Sequence, residues 1–189
     1  HLNFKENGFF VEFGACDGIK LSNSWLLEKK FNWQGILVEP AKFFEEKIKA
    51  NRNCSIELKC VAKKSGDKII FHETNDKELS TASNFISADR HHLARKLSKN
   101  YEVLTISLND LLDKHSCPSK FDYLSIDTEG SEFEIIEEFN FEKHTPKIIT
   151  IEHNYINEKR NKIYNLLIKK SYKRVFKEIS NCDDWYIKI

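Results

Sequence analysis

The apolar positions of this chain fall into short, strand-sized runs, each closed by a glycine, an acid or a proline, with helical spacing between them. The first run is Phe9, Phe10, Val11 and Phe13, interrupted only by Glu12, and it ends in Gly14, Ala15, Cys16, Asp17 and Gly18. An apolar run that passes through a glycine-rich turn into a helix reads as a buried parallel strand delivering its carboxyl end to a ligand. Ser22 or Asn23 can cap a helix through Trp25, Leu26 and Leu27 to about Lys30, which residues 31–35 break. Ile36, Leu37 and Val38 form the next run, stopped by Glu39 and Pro40. Residues 41–50 then resume helical spacing with Phe43, Phe44 and Ile48 on one side.

A third strand is expected over residues 55–62, and 68–72 adds a short paired one after the Ser65-Gly66-Asp67 turn. Residues 73–100 depart from the alternation, with a polar stretch at 80–84 and a helix expected over 89–99. They read as an insertion beside the active site, because long loops in compact domains commonly serve as lids or binding loops. Strand spacing returns over 101–106. Ser107 then caps a helix over 108–114, with Asp110 where a glutamate is usual. Residues 121–127 make the next central strand, and its polar end at 128–132 opens a helix through Ile135, Ile136 and Phe139. A buried run over 147–152 ends in His153 and Asn154, a helix follows over 158–170, and strands over 172–179 and 184–189 close the chain. At 189 residues this is a single domain over 1–189, an α/β fold with a mostly parallel sheet and helices on both faces.

Composition narrows the partners. Lys and Arg total 30 against 29 Asp and Glu, a net charge of +1, so no global field gathers nucleic acid or an anionic membrane. No apolar run approaches the roughly 20 residues of a membrane span, no signal segment opens the chain, and a cytoplasmic location is expected. Five cysteines, at 16, 54, 60, 117 and 182, contain no C-x-x-C pair, which argues against a disulfide framework or a four-thiolate zinc site. Cys16 is read as a small loop-filling residue, not a nucleophile. The chain opens on His1 without an initiator methionine and enters a strand almost at once, which reads as a trimmed fragment lacking an amino-terminal segment.

In open parallel sheets ligands bind outside the carboxyl ends of the strands. Glu39 stands 21 residues beyond Gly18, where an acid accepts hydrogen bonds from the hydroxyls of an adenosine ribose. The loop before it, G-A-C-D-G, lacks the second glycine that a pyrophosphate needs, and Asp17 would repel a diphosphate but tolerate a sulfonium and an amino group. These features favour S-adenosylmethionine over a dinucleotide. The candidate cofactor-binding residues are Glu12, Gly14, Ala15, Asp17 and Gly18 on the first strand and loop, Glu39 and Pro40 on the second, and Val61, Asp127 and Glu129 beyond.

V-E-F-G-A-C-D-G, L-V-E-P, F-D-Y-L-S-I-D-T-E-G-S-E-F-E-I-I and I-E-H-N, in that order, resemble the FkbM family of S-adenosylmethionine-dependent methyltransferases over nearly the whole chain from Gly8 onward. The block Asp127, Glu129, Gly130, Glu132 is the most distinctive part; Asp17 departs from the more usual asparagine. The resemblance implies a class I methyltransferase (Rossmann-like) fold of seven strands with the last antiparallel. It also implies O-methylation of a hydroxyl on a sugar, glycan or other small-molecule natural product. Rival readings are an inactive methyltransferase-fold binding or scaffold domain and, opposed by the first loop, a nucleotide-dependent oxidoreductase. With prolines only at 40, 118 and 146, the double-proline motif of nucleic-acid amino-methyltransferases is absent.

An alcohol acceptor must lose a proton. His153 is the first candidate base, since a neutral imidazole suits that task near pH 7. Asp127 is the second, or it binds the methionine part of the cofactor. Asp127, Glu129 and Glu152 also offer the hard oxygens that a divalent cation prefers, as in some sugar O-methyltransferases. Glu129 and Glu132, three apart on a first helical turn, and Glu152 are candidate acceptor contacts, although acids there also complement the helix dipole. His91 and Arg95 would present a basic face to an acidic acceptor, while the adjacent His91 and His92 make a poor chelating pair.

Overall fold

The computed structural model describes residues 1–74, 80–82 and 99–189. Residues 89–98 of the helix expected over 89–99, with His91 and Arg95, lie outside the described residues, and Lys99 opens a strand instead. In chain order the elements are β1 (Phe9–Phe13), α1 (Trp25–Phe31), β2 (Gln34–Val38), a 3-10 turn (Lys42–Phe44) running into α2 (Glu45–Asn51), and β3 (Ser55–Glu57). There follow β4 (Cys60–Ala62), β5 (Lys68–Glu73), β6 (Thr81–Ala82), β7 (Lys99–Ser107) and α3 (Leu108–Lys114). The chain ends with β8 (Lys120–Ile126), α4 (Glu132–Glu137), β9 (Thr145–Glu152), α5 (Asn157–Lys169), β10 (Tyr172–Val175) and β11 (Asp183–Lys188).

The main sheet has seven strands in the order β10-β11-β9-β8-β1-β2-β3. Strands β3, β2, β1, β8 and β9 pair in parallel, and β11 runs antiparallel to both of its neighbours. Alternate side chains feed two cores. Val11, Ile36, Leu124 and Ile149 pack with Leu111 and Leu112 of α3, Ile135 and Ile136 of α4, and Ile163 and Leu167 of α5. Phe10, Leu37 and Tyr123, on the other face, pack with Trp33, Ile48 of α2 and Leu27 of α1. Burial on both faces is why these strands read as near-continuous apolar runs.

A second sheet, in the order β4-β7-β5-β6, was not expected. The strand predicted over 55–62 is two strands, because Glu57 ends the first. Its buried carboxylate accepts from the amides of Leu58 (3.2 Å) and Lys59 (3.3 Å) and pairs with Lys114 at 2.6 Å, stabilising the turn that sends β4 to the second sheet. Residues 73–100 are likewise partly strand, since β5 reaches Glu73 and β7 starts at Lys99. Cys60, Phe71, Ala82 and Val103 of this sheet pack with Phe44, Ala41 and Cys16, which follow the carboxyl ends of β1 and β2. The Ser107 cap is as expected, with its hydroxyl accepting from the Asp110 amide. Among the described residues no helix is long and apolar enough to cross a membrane.

Candidate functional site

At the carboxyl ends of β1, β2 and β8 lies a cavity of about 190 Å³. Phe13, Gly14 and Cys16 line it from β1 and its loop, Val38, Glu39 and Pro40 from β2, and Asp127, Thr128, Glu129 and Ser131 from β8 and its loop. Cys60, Val61, Phe71, Ser80 and Ala82 close it from the second sheet. Only the tertiary structure identifies Phe71, Ser80 and Ala82 as lining residues; nothing in their local sequence marks them.

Gly14 makes the two strand-end loops meet. Its φ is +72°, and a Cβ there would stand 2.3 Å from the Asp127 carbonyl oxygen, so only a residue without a side chain fits. The Gly14 amide donates to the Val38 carbonyl at 3.1 Å, tying the same loop to β2. The next turn is held by Asp17, whose carboxylate accepts from the amides of Ile19 (2.9 Å) and Lys20 (2.8 Å). Asp17 and Ala15 are not among the lining residues, and Ala15 is fully buried in the core under α2. Gly18 packs against Arg52, whose guanidinium donates to the Gly18 carbonyl at 3.0 Å.

Glu12 sits beneath the cavity. Its buried carboxylate accepts from the Ser22 hydroxyl (2.9 Å), the Asn23 amide (2.6 Å), the Ser24 amide (3.1 Å) and the Ser24 hydroxyl. Burial raises its pKa, and these hydrogen bonds work in the opposite direction. From the other side Arg52 donates to both serine hydroxyls and to Glu28. Glu12 and Arg52 thus pin the loop that presents Leu21 and Asn23 to the cavity. Arg52 is 3% exposed; in the sequence it looks like an ordinary surface cation after α2.

Glu39 is 5% exposed at the end of β2. One carboxylate oxygen accepts from the Cys16 amide and the other from the Ala41 amide, each at 2.8 Å. Burial pushes its pKa up to about 7, against the lowering effect of those two amides. Each oxygen keeps a second lone pair, so the group can still accept from a ligand's hydroxyls.

Asp127, Glu129 and Glu152 converge. One carboxylate oxygen from each lies within 4.8 Å of the others. Burial together with like charge raises the pKa values of Asp127 and Glu152, Asp127 to about 7. Glu152 Oε2 is buried with no hydrogen-bond partner among the described residues. Two carboxylates this close keep a proton between them unless a cation replaces it, and the oxygen set is one that a hard divalent cation accepts.

Glu132 is placed differently from the expectation of an acceptor contact. Fully buried, it accepts at Oε1 from the Thr128 amide (3.0 Å), the Thr128 hydroxyl (3.0 Å) and the Gly130 amide (2.9 Å), and pairs at Oε2 with Lys159 (2.8 Å). It organises the 128–131 loop, and for that reason α4 starts at Glu132 instead of at 128. His153 is 1% exposed and does not line the cavity. Its Nδ1 accepts from the Tyr155 amide at 3.1 Å, which leaves the ring proton on Nε2, 3.7 Å from Asp184. Burial lowers its pKa. Asp184 is itself held by Arg160 at 2.7 Å and Arg174 at 2.9 Å. In this arrangement His153 has no nitrogen open to an acceptor's proton.

The fold is similar to that of the methyltransferase FkbM from Methylobacillus flagellatus KT, with TM-score 0.62 and 10% identity over 96% of this chain. The chain spans 43% of that protein's length. A precorrin-6y C5,15-methyltransferase from Geobacter metallireducens GS-15 aligns over 98% of this chain and 81% of its own, with 12% identity and TM-score 0.47. No curated protein matches the sequence. The first likeness establishes the class I methyltransferase architecture, a seven-stranded, mostly parallel sheet with its last strand antiparallel. The profile of the FkbM methyltransferase domain matches residues 12–185, nearly the whole chain, and the chain belongs to that family of methyltransferases.

Proposed function

We propose that this domain binds S-adenosylmethionine in the cavity between β1, β2 and β8 and methylates a hydroxyl of a sugar, glycan or other small molecule. The observation that carries the reading is Glu39, a carboxylate fixed by two backbone amides at the end of β2, with lone pairs to spare, on the wall of the cavity. The cavity suits the cofactor's chemistry: Pro40, Val38 and Val61 give apolar walls, Glu39 an acceptor for the ribose hydroxyls, and Glu129 an anionic partner for the ammonium of the methionine part. S-adenosylmethionine supplies an activated methyl group on a sulfonium, so the protein's share is positioning, exclusion of water and removal of a proton. Asp127, on the cavity wall with its pKa pushed up to about 7, takes the acceptor's proton in this reading.

Calorimetric titration of the purified chain with S-adenosylhomocysteine and with NAD tests the reading. Binding of the first and not the second is expected; failure to bind S-adenosylhomocysteine would overturn it.

A further inference from the structure

Lys159 stands in an unusual place for a cation. It occupies the first turn of α5, the positive end of the helix dipole, where a lysine is disfavoured. Its side chain is only 12% exposed and runs from α5 to the loop after β8, donating to Glu132 Oε2 at 2.8 Å and to the Gly130 carbonyl at 2.9 Å. Glu132 in turn holds Thr128 and Gly130 by their amides. Glu129 lies between those two clamped residues in the left-handed conformation, φ +57°, and lines the cavity. The helix that carries Lys159 begins just after the end of β9, the strand that delivers Glu152. One ion pair therefore joins the loop after β8, with Asp127 and Glu129, to the segment that follows Glu152.

We propose that Lys159, acting through Glu132, is a positioning residue that holds Glu129 on the cavity wall for the amino-acid end of the cofactor. This rests on the cofactor reading above. Three carboxylates within 4.8 Å of one another repel, and the left-handed turn at Glu129 has no glycine to ease it. The clamp on either side is what sustains that turn. Lys159 itself does not line the cavity, so any effect on binding passes through the loop.

The test compares two probes. S-adenosylhomocysteine carries the amino-acid end, whereas 5′-methylthioadenosine shares the adenosine and the thioether but lacks it. Calorimetry well below each variant's melting temperature measures both, in wild type, Lys159→Met, Lys159→Arg, Glu129→Gln and the Lys159→Met/Glu129→Gln double variant. Lys159→Met is expected to weaken S-adenosylhomocysteine roughly tenfold while leaving 5′-methylthioadenosine unchanged. Lys159→Arg should restore affinity, and the double variant should bind no worse than the weaker single one. If Lys159→Met does not fold, Lys159→Met with Glu132→Gln removes the pair without stranding a buried carboxylate and is expected to show the same split between probes. Equal losses for both probes, no loss for either, an unaffected Glu129→Gln, or losses that multiply in the double variant would each overturn the proposal. Wild-type protein that binds neither probe would instead sink the cofactor reading beneath it.

Discussion

Glu39 makes stability depend on pH in a way that can be worked out. Its carboxyl is 5% exposed, and burial lifts its pKa from 4.5 to about 7 even with two amides donating to it. Between those values the folded protein retains a proton that the unfolded chain has released. Stability contributed by this group is therefore complete below pH 4.5, falls as pH rises, and levels off above about 7. At about 1.4 kcal/mol per pH unit across that window, the loss is about 3 kcal/mol. For a chain of this length that is roughly 6–12 °C in Tm. Glu39→Gln removes the titration. It also loses an acceptor, because the amide NH2 must face either the Cys16 or the Ala41 amide, and this costs about 1–3 kcal/mol at every pH. The readout is the difference in urea-unfolding free energy between wild type and Glu39→Gln, measured from pH 4.5 to 8, so that carboxyls not interacting with Glu39 cancel. A difference that shrinks by about 3 kcal/mol toward alkaline pH is expected. Parallel curves would refute the account of a buried, proton-holding Glu39.

Gly14→Ala and Gly66→Ala share a positive φ, but the first meets the Asp127 carbonyl oxygen at 2.3 Å and the second meets nothing within 4 Å. Urea unfolding should show about 1–2 kcal/mol lost in Gly66→Ala from the left-handed backbone alone and clearly more in Gly14→Ala; equal losses would discard the close approach. For catalysis, transfer of labelled methyl to a panel of sugar and small-molecule hydroxyls separates the two candidate bases. Asp127→Asn should lower the rate by about a hundredfold or more, while His153→Gln stays within severalfold of wild type. The reverse result would return the base to His153.

The strands were legible because burial on both faces leaves a continuous apolar trace, as in Phe9 to Phe13 and Ile36 to Val38. That Glu39, Gly14 and Asp127 would line one cavity was legible because strand ends in a parallel sheet face one edge, and each stands just past an apolar run. The second sheet was hidden. Two of its strands, β4 and β6, are short, and the break at Leu58 and Lys59 depends on what Glu57 does with its own carboxylate. The acids were hidden in another sense, since Glu12, Glu132 and Glu152 look alike in sequence.

By itself, then, the chain's order of apolar runs, glycines and strand-end acids determined the class of fold, the edge that carries the cavity and the family. Those signals are local or periodic, and they survive without knowledge of partners. Only the tertiary structure decided which acid faces the cavity and which holds its loops. Glu12 takes its donors from residues 22–24, Glu132 answers a lysine 27 positions along the chain, and Glu39 alone of the three keeps a face to the cavity. His153, set in the sequence like a base, is turned by the Tyr155 amide and Asp184 into a buried strand-end contact. A side chain's role follows from the donors and charges packed around it, and those come together only when distant segments fold onto the same edge of the sheet.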